Sequence, residues 1–223
     1  MPRPLAVVLL SGGMDSCVAA ALTRATHDLA LLHLSYGQRT EDRERRAFRD
    51  IAAHWSVARM LESRLDHLKA VGGSALTDAR RDAVNARRAD TDVPDTYVPF
   101  RNTHLLALAA SWGEVIGARR LVIGAVQEDG SGYPDCREEY FEAFGRVLRL
   151  GTRPETHLEV STPLLHLSKG EIVRAGMAAS APLHLTWSCY TGIERACGRC
   201  ESCRLRLRGF EEAGVADPLP YDR

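Results

Sequence analysis

Ser11-Gly12-Gly13-Met14-Asp15-Ser16 puts two glycines, two hydroxyls and a carboxylate into six consecutive positions. Glycines let a backbone come close to phosphate oxygens, and the free amides of a helix start favour negative charge. The segment therefore reads as a cradle for a phosphate tail, entered through Leu10. Ser11 and Ser16 supply hydroxyl donors, and Asp15 either braces the loop or helps position Mg²⁺. It is neither Gly-x-x-x-x-Gly-Lys-Ser/Thr nor Gly-x-Gly-x-x-Gly. A second reactive group is Cys189, Cys197, Cys200 and Cys203, spaced by seven, two and two residues. Four thiolates folding back in one knuckle suit tetrahedral Zn²⁺ and leave no position for water, so one structural zinc per chain is expected. An iron–sulfur cluster shares part of this spacing, but the fourth cysteine lies on the wrong side of the common bacterial run. Free or disulfide-linked thiols are the remaining alternative. Cys17 and Cys136 read as small buried residues.

Two polar stretches resist explanation as packing. In Val98-Pro-Phe-Arg101-Asn102, just before a helix, Asn102 can cap and Arg101 can reach an anion. The stretch from Glu128 through Tyr133 and Asp135 to Arg137 follows an apolar run ending near Val126, and its density of carboxylate, hydroxyl and arginine suits a binding surface.

The elements that must position these groups follow from the apolar pattern. Leu5 to Leu10 is a continuous apolar run, as in a strand buried on both faces. A helix follows from Asp15, with Asp15 or Ser16 as its cap. Strands are expected at 29–35, weakly at 57–61 and at 120–126. Helices are expected at 41–55, 103–116, 134–150 and 168–179. Between Gly72 and Pro99 the pattern fails, and a cover or binding loop is expected. This alternation implies an α/β fold: a doubly wound, mostly parallel, Rossmann-like sheet. Residues 1–185 form that domain, and 186–223 form a small C-terminal zinc-binding helical knuckle packed on it. The Ser11–Ser16 loop falls at the carboxyl end of the first strand, where such sheets bind ligands.

Composition sets limits. Of the 223 residues, Lys plus Arg and Asp plus Glu both number 29, so the chain lacks the basic excess of a general nucleic-acid binder, and no stable nucleic-acid partner is expected. No stretch approaches the ~20 apolar residues of a membrane helix, and no export signal is evident, so the cytoplasm is the expected compartment.

The Ser-Gly-Gly-x-Asp-Ser loop resembles that of the N-type ATP pyrophosphatases (the PP-loop ATPases), which transfer AMP to a carbonyl or carboxylate oxygen. Taken in order, Ser11 to Ser16, Tyr36-Gly37-Gln38-Arg39, Arg101-Asn102, Asp129 to Arg137, Lys169-Gly-Glu-Ile172 and Ser188-Cys-Tyr190 through Cys203 resemble the QueC family of 7-cyano-7-deazaguanine synthases. The resemblance covers nearly the whole chain. It implies conversion of 7-carboxy-7-deazaguanine, ammonia and ATP to a nitrile, with structural zinc and a homodimer. Phe100 stands where that family usually has a small residue, and Thr40 where it often has histidine.

On this reading Asp15, Ser16, Arg101 and Lys169 carry the chemistry. Leu10 to Ser16 bind ATP with Mg²⁺. Arg101, Asn102, Glu128, Tyr133, Asp135 and Arg137 face the substrate, with Asp135 first and Glu128 second as readers of its guanine-like edge. The alternatives are another PP-loop adenylylating enzyme, such as a tRNA thiolase or an amide-forming synthetase. A more distant one is a non-catalytic zinc knuckle that binds RNA through Arg195, Arg199, Arg204, Arg206 and Arg208.

Overall fold

The computed structural model describes residues 2–83, 93–127 and 132–222. Five parallel strands are described: β1 (Leu5–Leu9), β2 (Asp28–Ser35), β3 (Met60–Arg64), β4 (Arg120–Ile123) and β5 (Glu159–Ser161). They lie in the order β3-β2-β1-β4-β5. The register sets Val7 beside Ala30 on one side and Leu121 on the other. Because the order reverses between β1 and β4, their carboxyl ends open into a crevice where ligands bind in such folds.

The apolar run of β1 is continuous because helices cover both faces. Ala6 and Val8 pack towards α1 (Met14–Arg24), α2 (Glu41–His54), α6 (Lys169–Ala178) and α7 (Glu201–Glu212). Val7 and Leu9 point the other way, towards α4 (Arg101–Ile116) and α5 (Glu138–Gly151). A side-chain period of two thus feeds two cores from one strand.

Several boundaries depart from the sequence pattern. The third strand lies at 60–64 rather than 57–61, on an edge where only alternate residues are partly buried. The short helix α3 (Asp66–Val71) and the three-residue β5 carry too few residues to show a period. The helix expected at 134–150 is broken: a 3₁₀ turn over Pro134–Cys136 ends at Arg137, whose extended backbone starts α5. Gly13, not Asp15 or Ser16, is the N-cap of α1, and Phe100, not Asn102, is that of α4.

Candidate active site

The loop between β1 and α1 is closed by its own hydroxyls. Gly13 N–H donates to Ser11 Oγ (3.1 Å), Ser16 Oγ donates to the Gly13 carbonyl (3.0 Å), and the two serine oxygens lie 3.0 Å apart. Among the described residues no side chain caps α1, so its first-turn amides keep their capacity for an anion. Gly12 has φ +92°, a left-handed conformation, and a Cβ there would stand 2.5 Å from the Glu44 carbonyl oxygen. Gly124, at the end of β4, lets the sheet touch the helix start, since a Cβ there would lie 2.8 Å from Ser16 N. Both positions therefore require glycine.

Several segments of the chain build a pocket over this loop. Ser11, Gly13, Met14, Asp15 and Ser16 form its floor, and Gly124 to Val126 form the neighbouring strand end. From α6 comes Lys169, placed at the first helical position by a capping box: Ser168 Oγ accepts from Glu171 N–H, and the Glu171 carboxylate accepts from Ser168 N–H. Lys169 is 5% exposed, and its Nζ lies 2.7 Å from Asp15 Oδ2. Asp15 Oδ1 is buried without a hydrogen-bond partner among the described residues.

Arg101 enters from the first turn of α4. Its Nη1 donates to the Tyr36 hydroxyl (3.2 Å), its guanidinium stands over the Tyr36 ring at 5.7 Å, and its Nε is buried without a partner among the described residues. Phe100 turns the chain into this helix with φ +58°, a strained setting for a non-glycine residue. Tyr133 also lines the pocket; burial pushes its phenol up to about 12, and it exchanges a 2.7 Å hydrogen bond with Thr96. That residue belongs to the expected cover segment, which Arg39 ties down by donating to the carbonyls of Ala75 and Asp78.

The remaining expected site residues divide. Asn102 lines the pocket, but inside α4: its amide N–H donates to Asp135 Oδ2 (2.9 Å) and its Nδ2 to the Asp135 carbonyl (2.8 Å). Asp135 is thereby held behind the wall, 3% exposed, and does not line the pocket. Arg137 is exposed outside it, Leu10 is fully buried beneath it, and Glu128 lies outside the described residues. Glu44 and Trp187, which the sequence reading did not single out, also line it, as does Tyr190 of the Ser188-Cys-Tyr190 motif. Trp187 N–H donates to the Gly12 carbonyl (2.8 Å), fastening the segment before the cysteines to the phosphate loop. For Trp187 the signal in the sequence was its place just before the Ser188-Cys-Tyr190 motif.

The four cysteines are free and buried, and their sulfurs all lie within 4.8 Å of one another. A tetrahedral zinc with arms of ~2.3 Å needs sulfurs roughly 3.8 Å apart, and Cys197 and Cys203 are 4.0 Å apart. Backbone amides of Gly192 and Cys197 donate to Cys189 Sγ, and that of Cys200 to Cys197 Sγ, as thiolates require. This donor set fits Zn²⁺. Cys17 is different: burial pushes its thiol up to about 12, so it is an inert core residue. Of the arginines near the knuckle, Arg206 is 2% exposed and forks onto Asp217 at 2.7 and 2.9 Å, leaving it no reach towards RNA.

A family model described as "Queuosine biosynthesis protein QueC" matches residues 5–214. A relative from Chlorobium chlorochromatii named 7-cyano-7-deazaguanine synthase is 53% identical, covering 97% of this chain and 96% of its own. One of the same name from Acidobacterium capsulatum is 52% identical, covering 98% and 97%. Among solved structures, a chain from Methanocaldococcus jannaschii titled as a subunit of a tRNA methyltransferase is 13% identical and covers 99% of this chain and 93% of its own. Its TM-score of 0.46 is too low to bear on function.

Proposed function

The chain belongs to the QueC family of queuosine biosynthesis proteins, and from that premise we propose that it converts 7-carboxy-7-deazaguanine and ammonia to 7-cyano-7-deazaguanine at the expense of ATP. The observation that carries this reading is the pocket where the Ser11–Ser16 loop, Lys169 and Arg101 converge at the β1/β4 crevice.

A carboxylate resists attack by ammonia because its charge and resonance make it a poor electrophile. Transfer of AMP to one of its oxygens releases pyrophosphate and creates a mixed anhydride. Ammonia then displaces AMP and gives the amide. A second transfer, onto the amide oxygen, releases another pyrophosphate, and loss of AMP with two N–H protons leaves the nitrile. Both transfers need an oxygen held in line with the α-phosphate, so one site serves both.

In this reading the loop amides take the leaving pyrophosphate, and Lys169 and Arg101 stabilise charge on the phosphates or the substrate carboxylate. Asp15 contributes to holding Mg²⁺, which supplies charge neutralisation on ATP when bound; its Oδ1, unpartnered among the described residues, is in keeping with that. Zinc closes the knuckle and takes no part in the chemistry. Ammonia as the nitrogen donor, a homodimer and a cytoplasmic setting complete the proposal. Among the described residues no helix is long and apolar enough to cross a membrane.

Incubation of pure protein with the deazapurine acid, ATP and ammonia, read by mass spectrometry, is expected to yield the nitrile. Nucleotide consumption with thiolated tRNA as the product would support the thiolase reading instead.

A further inference from the structure

Glu44 lies on α2 beside the phosphate loop, and its carboxylate is recessed into the pocket wall. Thr40 Oγ1 donates to its Oε1 at 2.8 Å, and Gln38 Nε2 donates to its Oε2 at 3.0 Å. The Gln38 amide is oriented, because its Oε1 accepts the Tyr36 N–H at 2.8 Å and its nitrogen must then face Glu44. Both partners are neutral. Arg101 acts on Glu44 through space, without an ion pair among the described residues.

Each carboxylate oxygen has about two lone-pair sites, so each keeps one after these bonds are made. A carboxylate sunk among neutral donors is costly unless further donors reach it. The same pocket is lined by Tyr36, Leu76 and Tyr190, which pack together into a surface that suits a flat aromatic ring. Arg101, in the same pocket, offers the opposite charge. The pocket thus complements a flat ring with N–H donors on one edge and an anionic group elsewhere.

We propose that Glu44, held by Gln38 and Thr40, is the acceptor that reads the N–H edge of the purine-type ring in this pocket, and so determines specificity for it. The inference rests on the proposed function for the presence of such a ring. Two ligands carry the chemistry: the deazapurine, with adjacent ring N–H and amino donors, and the adenine of ATP, with an amino group alone. Asp135, the first choice from sequence, is held behind the wall by Asn102.

The test is equilibrium binding to wild-type protein and Glu44→Gln. It uses 7-carboxy-7-deazaguanine and its analogue lacking the exocyclic amino group. A second arm uses a non-hydrolysable ATP analogue and its counterpart lacking the adenine amino group. Wild-type protein should discriminate against one des-amino ligand by about tenfold or more, and E44Q should lose that discrimination. The arm in which the loss occurs identifies the ring. Unchanged discrimination in both arms overturns the assignment. Wild-type protein that ignores the deazapurine altogether contradicts the proposed function, and the nucleotide arm still decides the role of Glu44. Should E44Q fail to fold, Thr40→Val, which removes one anchor and leaves the Glu44 backbone against Gly12, must erode the same discrimination.

Discussion

Lys169 Nζ stands 2.7 Å from Asp15 Oδ2, although 154 residues separate them in sequence. The contact joins the first turn of α6 to the first turn of α1, beside the loop amides to which the proposed function assigns the triphosphate. An ammonium held in so little solvent acts at a low effective dielectric and needs no reorganisation as charge moves onto pyrophosphate. Lys169→Met should therefore lower kcat for pyrophosphate release by roughly 10²–10³. A turnover within twofold of wild type, in a folded protein, would remove Lys169 from the chemistry.

Gly124→Ala adds one methyl beside the phosphate loop and changes no charge. Its Cβ would sit 2.8 Å from Ser16 N and 2.9 Å from the Asp15 carbonyl oxygen, and those are backbone atoms that cannot swing aside. The helix start must move off the sheet end, at a cost of about 1–3 kcal/mol for overpacking. Nucleotide affinity measured by calorimetry should fall by more than tenfold, with the deazapurine less affected.

Arg206 and Asp217 make the most buried ion pair described, at 2% and 4% side-chain exposure. Arg206 also donates to Thr186 Oγ1 and the Leu183 carbonyl, and Tyr221 donates to Asp217. The network ties α7 and the C-terminal strap to the turn before Trp187. Removing one partner strands the other charge, so Arg206→Met should cost about 3–5 kcal/mol in denaturant unfolding. Asp217→Asn in addition should restore part of the loss. Additive losses would mean that the two side chains act independently.

Burial raises the Glu44 carboxyl above its ordinary value, against the opposing pull of Gln38, Thr40 and Arg101; Glu41 and Tyr36 also face it. In the unfolded chain it ionises near about 4.3. As pH rises from there through the folded value, the native state keeps a proton that the unfolded state has released, and stability falls. Above the folded value the loss is complete and constant. The stability of wild type relative to E44Q should therefore decline across that window and then level off. A difference independent of pH would show that Glu44 does not titrate differently on folding.

The central strands were legible because burial on both faces leaves an unbroken apolar run, as in Leu5 to Leu10, and the phosphate loop was legible because glycines at fixed spacing have few other uses. Edge elements were not: β3 exposes every second residue to solvent, and β5 is too short to show a period. Arg101 and Lys169, each named from a short motif, do line the pocket. Glu44 and Trp187 were missed because their place depends on α2 and the pre-knuckle segment folding back onto Gly12. Asn102 and Asp135 show what a sequence leaves open, because a polar pair looks alike whether it meets a ligand or joins two segments of the chain; here Asn102 lines the pocket and also bonds Asp135 behind its wall.

The central claim is that both carboxylate oxygens of the deazapurine leave on AMP. Substrate carrying ¹⁸O at both positions, turned over with ATP and ammonia, should give two molecules of AMP per nitrile, each with one heavy oxygen in its phosphate. Unlabelled AMP, or label recovered in ADP or inorganic phosphate, would contradict adenylylation as the means of activation.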